Sequence, residues 1–353
     1  MEDKIRLILN QAVFAPSGDN SQPWKFTLNA NKLKIYNLPN KDHPLLNFQQ
    51  RGSYIAHGAL VENINILSSG FGLKADFKFF PKSDEKDLIA IVDFTNASVR
   101  TDHELASSII LRHTNRKAYK STEIELDIQN YILECKYPNS NLNLHWISNR
   151  KQIEKISIAS SKMEKIALET KELHHNFFKD IIWNKNDYKS GKEGLYIKTL
   201  ELPIIIEKIF KFLKYWPIAK MLNTLGFSSL AAFGNSKLYS KSGAYIAISS
   251  KSTTQIDYIQ CGILMQNLWL RTTNKGLSLQ PVSGIIFIAQ RLLLGLPLKL
   301  TKENAKLAIN QYQVIKNEFN INNDEVLMIF RVGYTDKLGI KSYRQKPYLV
   351  NGK

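Results

Sequence analysis

His57-Gly58-Ala59-Leu60-Val61-Glu62-Asn63 has a counterpart 204 residues further along the chain, Cys261-Gly262-Ile263-Leu264-Met265-Gln266-Asn267. Gly, Leu and Asn recur at matching positions, and the two stretches run on to Gly72-Leu73 and Gly276-Leu277 at the same spacing. In the first copy Ile55, Ala59, Leu60, Ile64 and Leu67 recur at the helical period, and Gly70 with Gly72 ends the pattern, so a single helix is expected over 51–73. The second copy predicts a helix over 258–275. One helix used twice is the mark of an internal duplication.

The chain before the first copy supports that reading. An amphipathic run over Ile5–Phe14 leads into Ala15-Pro16-Ser17-Gly18-Asp19-Asn20-Ser21-Gln22-Pro23-Trp24, a stiff polar loop. A hairpin follows, with strands at Lys25–Leu28 and Lys32–Tyr36 around Asn29-Ala30-Asn31. Pro16 precedes Trp24 by eight residues, and Pro138 precedes Trp146 by the same interval. Further strands are expected at Phe77–Phe80, Leu88–Phe94 and Ala244–Ile248, and a helix at Glu104–Leu111. The copies differ where chemistry would be expected: Asn20, Gln22 and Pro23 become Leu142, Leu144 and His145. The offset between copies is 122 residues at the loop and 204 at the helix, so the second copy carries 82 extra residues. The expected organisation is a first unit over 1–105 and a second over 106–353, the second holding an insertion at about 150–235. Within it, Ile204 to Trp216 is amphipathic and basic. It reads as a lid or packing helix, with membrane-surface contact the less favoured alternative, and its lysines exclude a bilayer span.

A chain of 353 residues buries an ample core without disulfides, and its two cysteines, Cys135 and Cys261, read as buried reduced thiols of a cytoplasmic protein. The N-terminus runs straight into a helical pattern with no secretory signature. The net charge of +17, from 48 Lys and Arg against 31 Asp and Glu, favours anionic partners. It is scattered lysine without a nucleic-acid module, so no nucleic-acid role is expected. The histidines and acids around Glu169, Glu172, His174 and His175 lack metal-ligand spacing, and no metal site is expected.

The loop residues Ala15, Pro16, Ser17, Asn20, Gln22, Pro23 and Trp24 resemble the flavin-contacting loop of the nitroreductase family. Arg112-His113-Thr114-Asn115-Arg116 is similar to that family's Arg-x-Ser/Thr-x-Arg element. Gly276-Leu277-Ser278-Leu279-Gln280-Pro281-Val282-Ser283-Gly284 resembles its strand after the long helix. Phe330–Tyr334 resembles its terminal strand, followed here by a basic stretch with Arg344 and Lys346. The resemblance implies an α+β fold, a nitroreductase-like unit duplicated in one chain as a pseudo-dimer, with antiparallel sheets flanked by helices. It also implies one FMN site, with NADH or NADPH as electron donor and a small-molecule electron acceptor. A flavin-sequestering protein is the alternative. The assembly expected is a monomeric pseudo-dimer or a homodimer.

The residue chemistry agrees with what the resemblance implies. Two guanidiniums around a hydroxyl, Arg112, Thr114 and Arg116, suit a dianionic phosphate, with Arg344 or Lys346 as a third cation. Pro16, Ser17, Asn20 and Gln22 would address the ring edge. Gln280, Pro281, Val282 and Ser283 fall where the family approaches the ring's N5. Asn235 and Lys237 stand roughly where it places ribityl or phosphate contacts. No catalytic side chain is required, because the flavin carries the chemistry. The first unit opens on Asp3-Lys4-Ile5-Arg6 without the paired arginines, so no second flavin site is expected.

Overall fold

The structure is a computed structural model that describes residues 1–97, 103–135, 140–336 and 339–351. Helix α1 (Glu2–Ala12) and a 3₁₀ turn at Gly18–Asn20 lead to strands β1 (Trp24–Asn29) and β2 (Lys32–Asn37), the expected hairpin. Helix α2 (Arg51–Gly70) comes next, then β3 (Leu73–Phe79) and β4 (Leu88–Asn96), which pair antiparallel. Helix α3 (Ala106–Leu111) ends before the expected arginine segment, α4 (Leu126–Leu133) follows, and β5 (Leu142–Ile147) carries Trp146. Pro138, the other half of that spacing, lies outside the described residues.

The insertion falls between β5 and its hairpin partner. It contains α5 (Arg150–Glu169), α6 (Lys171–Lys179), β6 (Ile181–Ile182), α7 (Lys185–Lys189), β7 (Leu195–Tyr196), α8 (Ile204–Leu213), α9 (Trp216–Thr224) and α10 (Phe227–Ser240). The chain then forms β8 (Ala244–Ser250), α11 (Gln255–Asn274), β9 (Ser278–Pro281), α12 (Gly284–Leu293), α13 (Lys302–Glu318) and β10 (Glu325–Gly333). β10 is not the terminal strand that the sequence suggests. The chain continues to β11 (Leu349–Asn351), which returns to the first sheet and pairs parallel with β1.

The fold is α+β, and its two main sheets share one design. The first runs β11-β1-β2-β4-β3 and the second β5-β8-β10-β9, so a hairpin, a long helix and two further antiparallel strands occur twice in the same order. Between the sheets α2 crosses α11 at its matching point. A Cβ on Gly58 would lie 2.0 Å from the Ile259 carbonyl oxygen, and one on Gly262 would lie 2.0 Å from that of Ile55, the position equivalent to Ile259. Only glycine permits this backbone approach. One turn further on, Asn267 Nδ2 donates to Glu62 Oε1 at 2.7 Å and Gln266 Nε2 to Asn63 Oδ1 at 2.8 Å, an exchange between equivalent pairs. The buried amides fix the register of two helices whose apolar faces alone would tolerate sliding.

Strand periodicity builds two cores. From β8, Ala244, Ile246 and Ile248 face the α2–α11 core, while Tyr245 and Ala247 face a second core built with α5, α12 and α13. The second sheet is therefore covered on both sides. In the first sheet Lys74, Asp76 and Lys78 of β3 alternate outward into solvent. Cys135 and Cys261 are buried free thiols. No helix among the described residues is long and apolar enough to cross a membrane.

Candidate functional site

The loop after α1 is held in an expensive conformation. Asp19, Asn20 and Gln22 have φ of 43°, 61° and 47°, in the left-handed region where glycine is cheaper. Each such residue costs about 1 kcal/mol or more. Ser17 Oγ accepts from the Gln22 backbone N–H at 2.9 Å, which braces the turn. The strain keeps two amides facing the C-terminal segment: Asn20 Nδ2 donates to the Tyr343 carbonyl at 3.0 Å, and Gln22 Oε1 accepts from the Gln345 N–H at 2.9 Å. Arg344, between these two partners, bonds through its guanidinium to Asn20 Oδ1.

Arg112 follows the last residue of α3 in an extended conformation, and Thr114 bridges Leu279 of the β9 region. Arg112 is buried, lies 4.4 Å over the Trp269 ring and donates to the Phe14 carbonyl at 2.9 Å. Burial, and then the nearby Arg344 charge, push its pKa well below the usual guanidinium range. Arg344 is lowered to about 10, chiefly by burial. Among the described residues no carboxylate compensates either group, and the Nε of each is a buried donor without a partner. Two adjoining uncompensated guanidiniums form a cationic locus suited to a dianion.

Arg116 has a different environment. Its Nη1 donates to the Thr199 carbonyl at 2.8 Å and its backbone N–H to Glu201 Oε2 at 2.5 Å; burial lowers its pKa, and the charges of Asp19 and Glu201 offset part of that. Arg112 thus feels the charge of Arg344, while Arg116 has the acids Asp19 and Glu201 as its charged neighbours. Lys346 is exposed at the periphery. Thr114 is half-buried beside β9. Pro16 is half-buried in the loop.

The β9 residues are largely committed to the fold. Gln280 Oε1 accepts from Arg331 Nε at 2.7 Å, Pro281 pairs with Phe330, and the Val282 N–H donates to the Ile329 carbonyl at 3.0 Å. Ser283 Oγ accepts from the Ile329 N–H at 2.9 Å. Asn235 hydrogen-bonds Glu164, and Lys237 lies over the Phe233 ring at 5.4 Å. His174 gives its ring nitrogen to the Leu213 carbonyl at 2.7 Å, a structural contact.

Within the insertion, the segment that meets this loop and Arg116 lies just before α8. The Gly194 carbonyl meets Asn20 Nδ2 at 3.4 Å, Gly191 accepts from Gln345, and Thr199 and Glu201 hold Arg116. Residues 191–203 are the strap, and α8 to α10 extend beyond it. A cavity of about 360 Å³ remains beside Arg116, Tyr119, Glu201 and Pro203. The strap contacts had no sequence signal, because Thr199 and Glu201 reach Arg116 across more than 80 residues.

Asp42 also faces the loop, its carboxylate close enough to Gly18 that a Cβ there would lie 2.8 Å from Oδ2. Burial first, then the charges of Asp19 and Asp180, raise its pKa to about 7. The folded protein therefore holds a proton that the unfolded chain releases near pH 4. This stabilisation is full below that pH and is lost as pH rises through about 7. Asp42→Asn is expected to remove the dependence, so that urea unfolding at about pH 5 and pH 8 gives a variant whose advantage over wild type grows with pH. Parallel pH profiles for the two proteins would contradict the assignment.

No protein-family model matches the chain. An uncharacterized protein of Mycobacterium tuberculosis is 22% identical over 284 residues, which is 80% of this chain and 39% of that protein. The protein acg of the same organism, named as a candidate NAD(P)H nitroreductase, is 29% identical over 118 residues, 32% of this chain and 35% of that protein. The chain thus spans well under half the length of these curated relatives. Among solved structures, the FMN-dependent nitroreductase NfnB from Mycobacterium smegmatis in complex with NADPH aligns over 66% of this chain and 88% of its own, at 14% identity and TM-score 0.35. A nitroreductase with bound FMN from Bacteroides fragilis aligns over 71% of this chain and 100% of its own, at 12% identity and TM-score 0.38. In the motifs of residues 15–24, 112–116 and 276–284, and in its named curated relative, the family this chain resembles is the nitroreductases.

Proposed function

We propose that this chain is an FMN-dependent oxidoreductase that passes a hydride from NADH or NADPH, through FMN, to a small electrophilic acceptor. The observation that carries the reading is the pair Arg112 and Arg344, with Arg344 repelling Arg112, no compensating carboxylate among the described residues, and an orphaned buried Nε on each. The FMN phosphate answers both deficits at once, since a dianion accepts several charge-assisted hydrogen bonds. Asn20 and Gln22 spend their amides on the segment 343–345, so their part would be to place Arg344 for that phosphate rather than to address the ring edge themselves. FMN when bound supplies the hydride chemistry, so the chain's task is to bind, orient and exclude water. Arg116, balanced by Asp19 and Glu201, serves better as the latch of the strap than as a phosphate ligand. The repeated strand order and the glycine crossing support two fused units, 1–105 and 106–353, arranged as a pseudo-dimer.

A second reading, a flavin-sequestering protein, is favoured by the strap itself, which bonds to both the loop and Arg116. Anaerobic stopped-flow mixing separates the two. Under the oxidoreductase reading, NADH or NADPH bleaches the bound flavin absorbance rapidly. If neither does, and Glu201→Ala restores fast bleaching by loosening the latch, the sequestering reading replaces it. A chain that purifies colourless and takes up no FMN overturns both.

A further inference from the structure

The helices beyond the strap present a surface with no counterpart in the rest of the insertion. On α8, Ile204 and Ile205 are 75% and 73% exposed and Phe212 is 62% exposed. With Lys208, Lys211 and Tyr215 they follow the spacing of one helical stripe, so the outward face of α8 is apolar and cationic together. The opposite side is committed: Leu213 is fully buried, and Ile209 and Phe210 pack with Phe177, Phe178 and Trp216. The helices after α8 also carry exposed apolar residues, Leu225 at 78% and Leu230 at 65%. Between residues 204 and 241 there are six lysines and one acid, Glu207, which is paired with Lys198.

We propose that α8 and the helices after it dock this protein on an anionic lipid bilayer surface, lying in the interface without crossing it. Charge complementarity selects this occupant. The stripe interleaves isoleucine and phenylalanine with lysines whose ammonium groups can reach anionic headgroups while their methylene stems stay with the apolar layer. Each lysine near such a surface adds to binding, and the whole chain's charge of +17 acts in the same direction. A second copy of the chain would bring the same cationic stripe against itself, which repels. The face includes neither Arg112 nor Arg344, so the inference does not depend on the FMN reading.

The test is co-sedimentation of the full-length protein with phosphatidylcholine vesicles that contain either no anionic lipid or about 30 mol % phosphatidylserine. The expected result is binding to the anionic vesicles that weakens with salt and falls at least about tenfold in Ile204→Ser/Ile205→Ser/Phe212→Ser, whose exposed positions leave the fold unchanged. Lys208→Glu/Lys211→Glu should lose the anionic preference, because reversing the charges repels the headgroups. Circular dichroism and thermal melting identical to wild type keep a loss of binding from being a loss of folding. No binding by wild type, binding that the apolar triple variant retains in full, or equal binding to neutral vesicles each overturns the proposal. A concentration-dependent dimer that the triple variant abolishes, without vesicle binding, assigns the face to a second copy and overturns it as well.

Discussion

Gly58→Ala is expected to lower the stability of the chain by at least about 3 kcal/mol, at the upper end of overpacking effects. The new Cβ would sit 2.0 Å from the Ile259 carbonyl oxygen and 2.8 Å from Gly262 Cα. Both are backbone atoms of α11, so no rotamer change relieves the clash. The helices must separate, and in doing so they stretch the Asn63–Gln266 and Glu62–Asn267 hydrogen bonds one turn further on. Gly262→Ala should cost about as much, because the crossing presents the Ile55 carbonyl to it in the same way. Gly234→Ala is the internal control. It lies within α10 with nothing near its missing Cβ, so alanine should be neutral or stabilising by up to about 1 kcal/mol. Thermal melts read the contrast, a fall of about 4 °C or more for the crossing variants and none for the control. Equal melting temperatures for Gly58→Ala and wild type would mean that α2 and α11 do not meet at these glycines.

Arg112→Ala is expected to weaken FMN binding by about 2–3 kcal/mol, roughly 30- to 150-fold in Kd, the loss of a charge-assisted contact to phosphate. Arg344→Ala should act in the same direction, because its guanidinium adjoins Arg112 and is equally without a carboxylate. Lys346→Ala, at an exposed position, should change affinity little. The measurement is fluorescence titration of FMN into apoprotein, with the apoprotein's melting temperature recorded alongside. Removing Arg112 also removes its contact with Trp269, while it relieves the repulsion from Arg344. Apoprotein stability therefore moves little while affinity falls, a split that a purely structural arginine would not give. Unchanged FMN affinity in both arginine variants would place the phosphate elsewhere.

The long helices α2 and α11, the first hairpin and the recurrence of the glycine helix were legible in the sequence, because each rests on local periodicity or on self-comparison. Gly58 and Gly262 could be matched by eye for that reason. That they touch each other was decided by the tertiary structure, since a contact across 204 residues leaves no local pattern. The site divides the same way. Residue type marked Asn20, Gln22, Arg112 and Arg116 as candidates, because forked donors suit a phosphate and amides in a stiff loop suit a polar ring edge. Which arginine is left without a carboxylate depends on what folds over it. Asp19 and Glu201 are the charges that act on Arg116, while the charge that acts on Arg112 is another cation, so two arginines four residues apart in one motif acquire different electrostatics. In the insertion, hydropathy identified an amphipathic basic helix but not what its apolar side meets. Packing settled that: Leu213 turns inward to the aromatic cluster, and Ile204, Ile205 and Phe212 remain in water. Periodicity states that a helix has two faces; only the neighbours that the fold supplies determine which of them is covered.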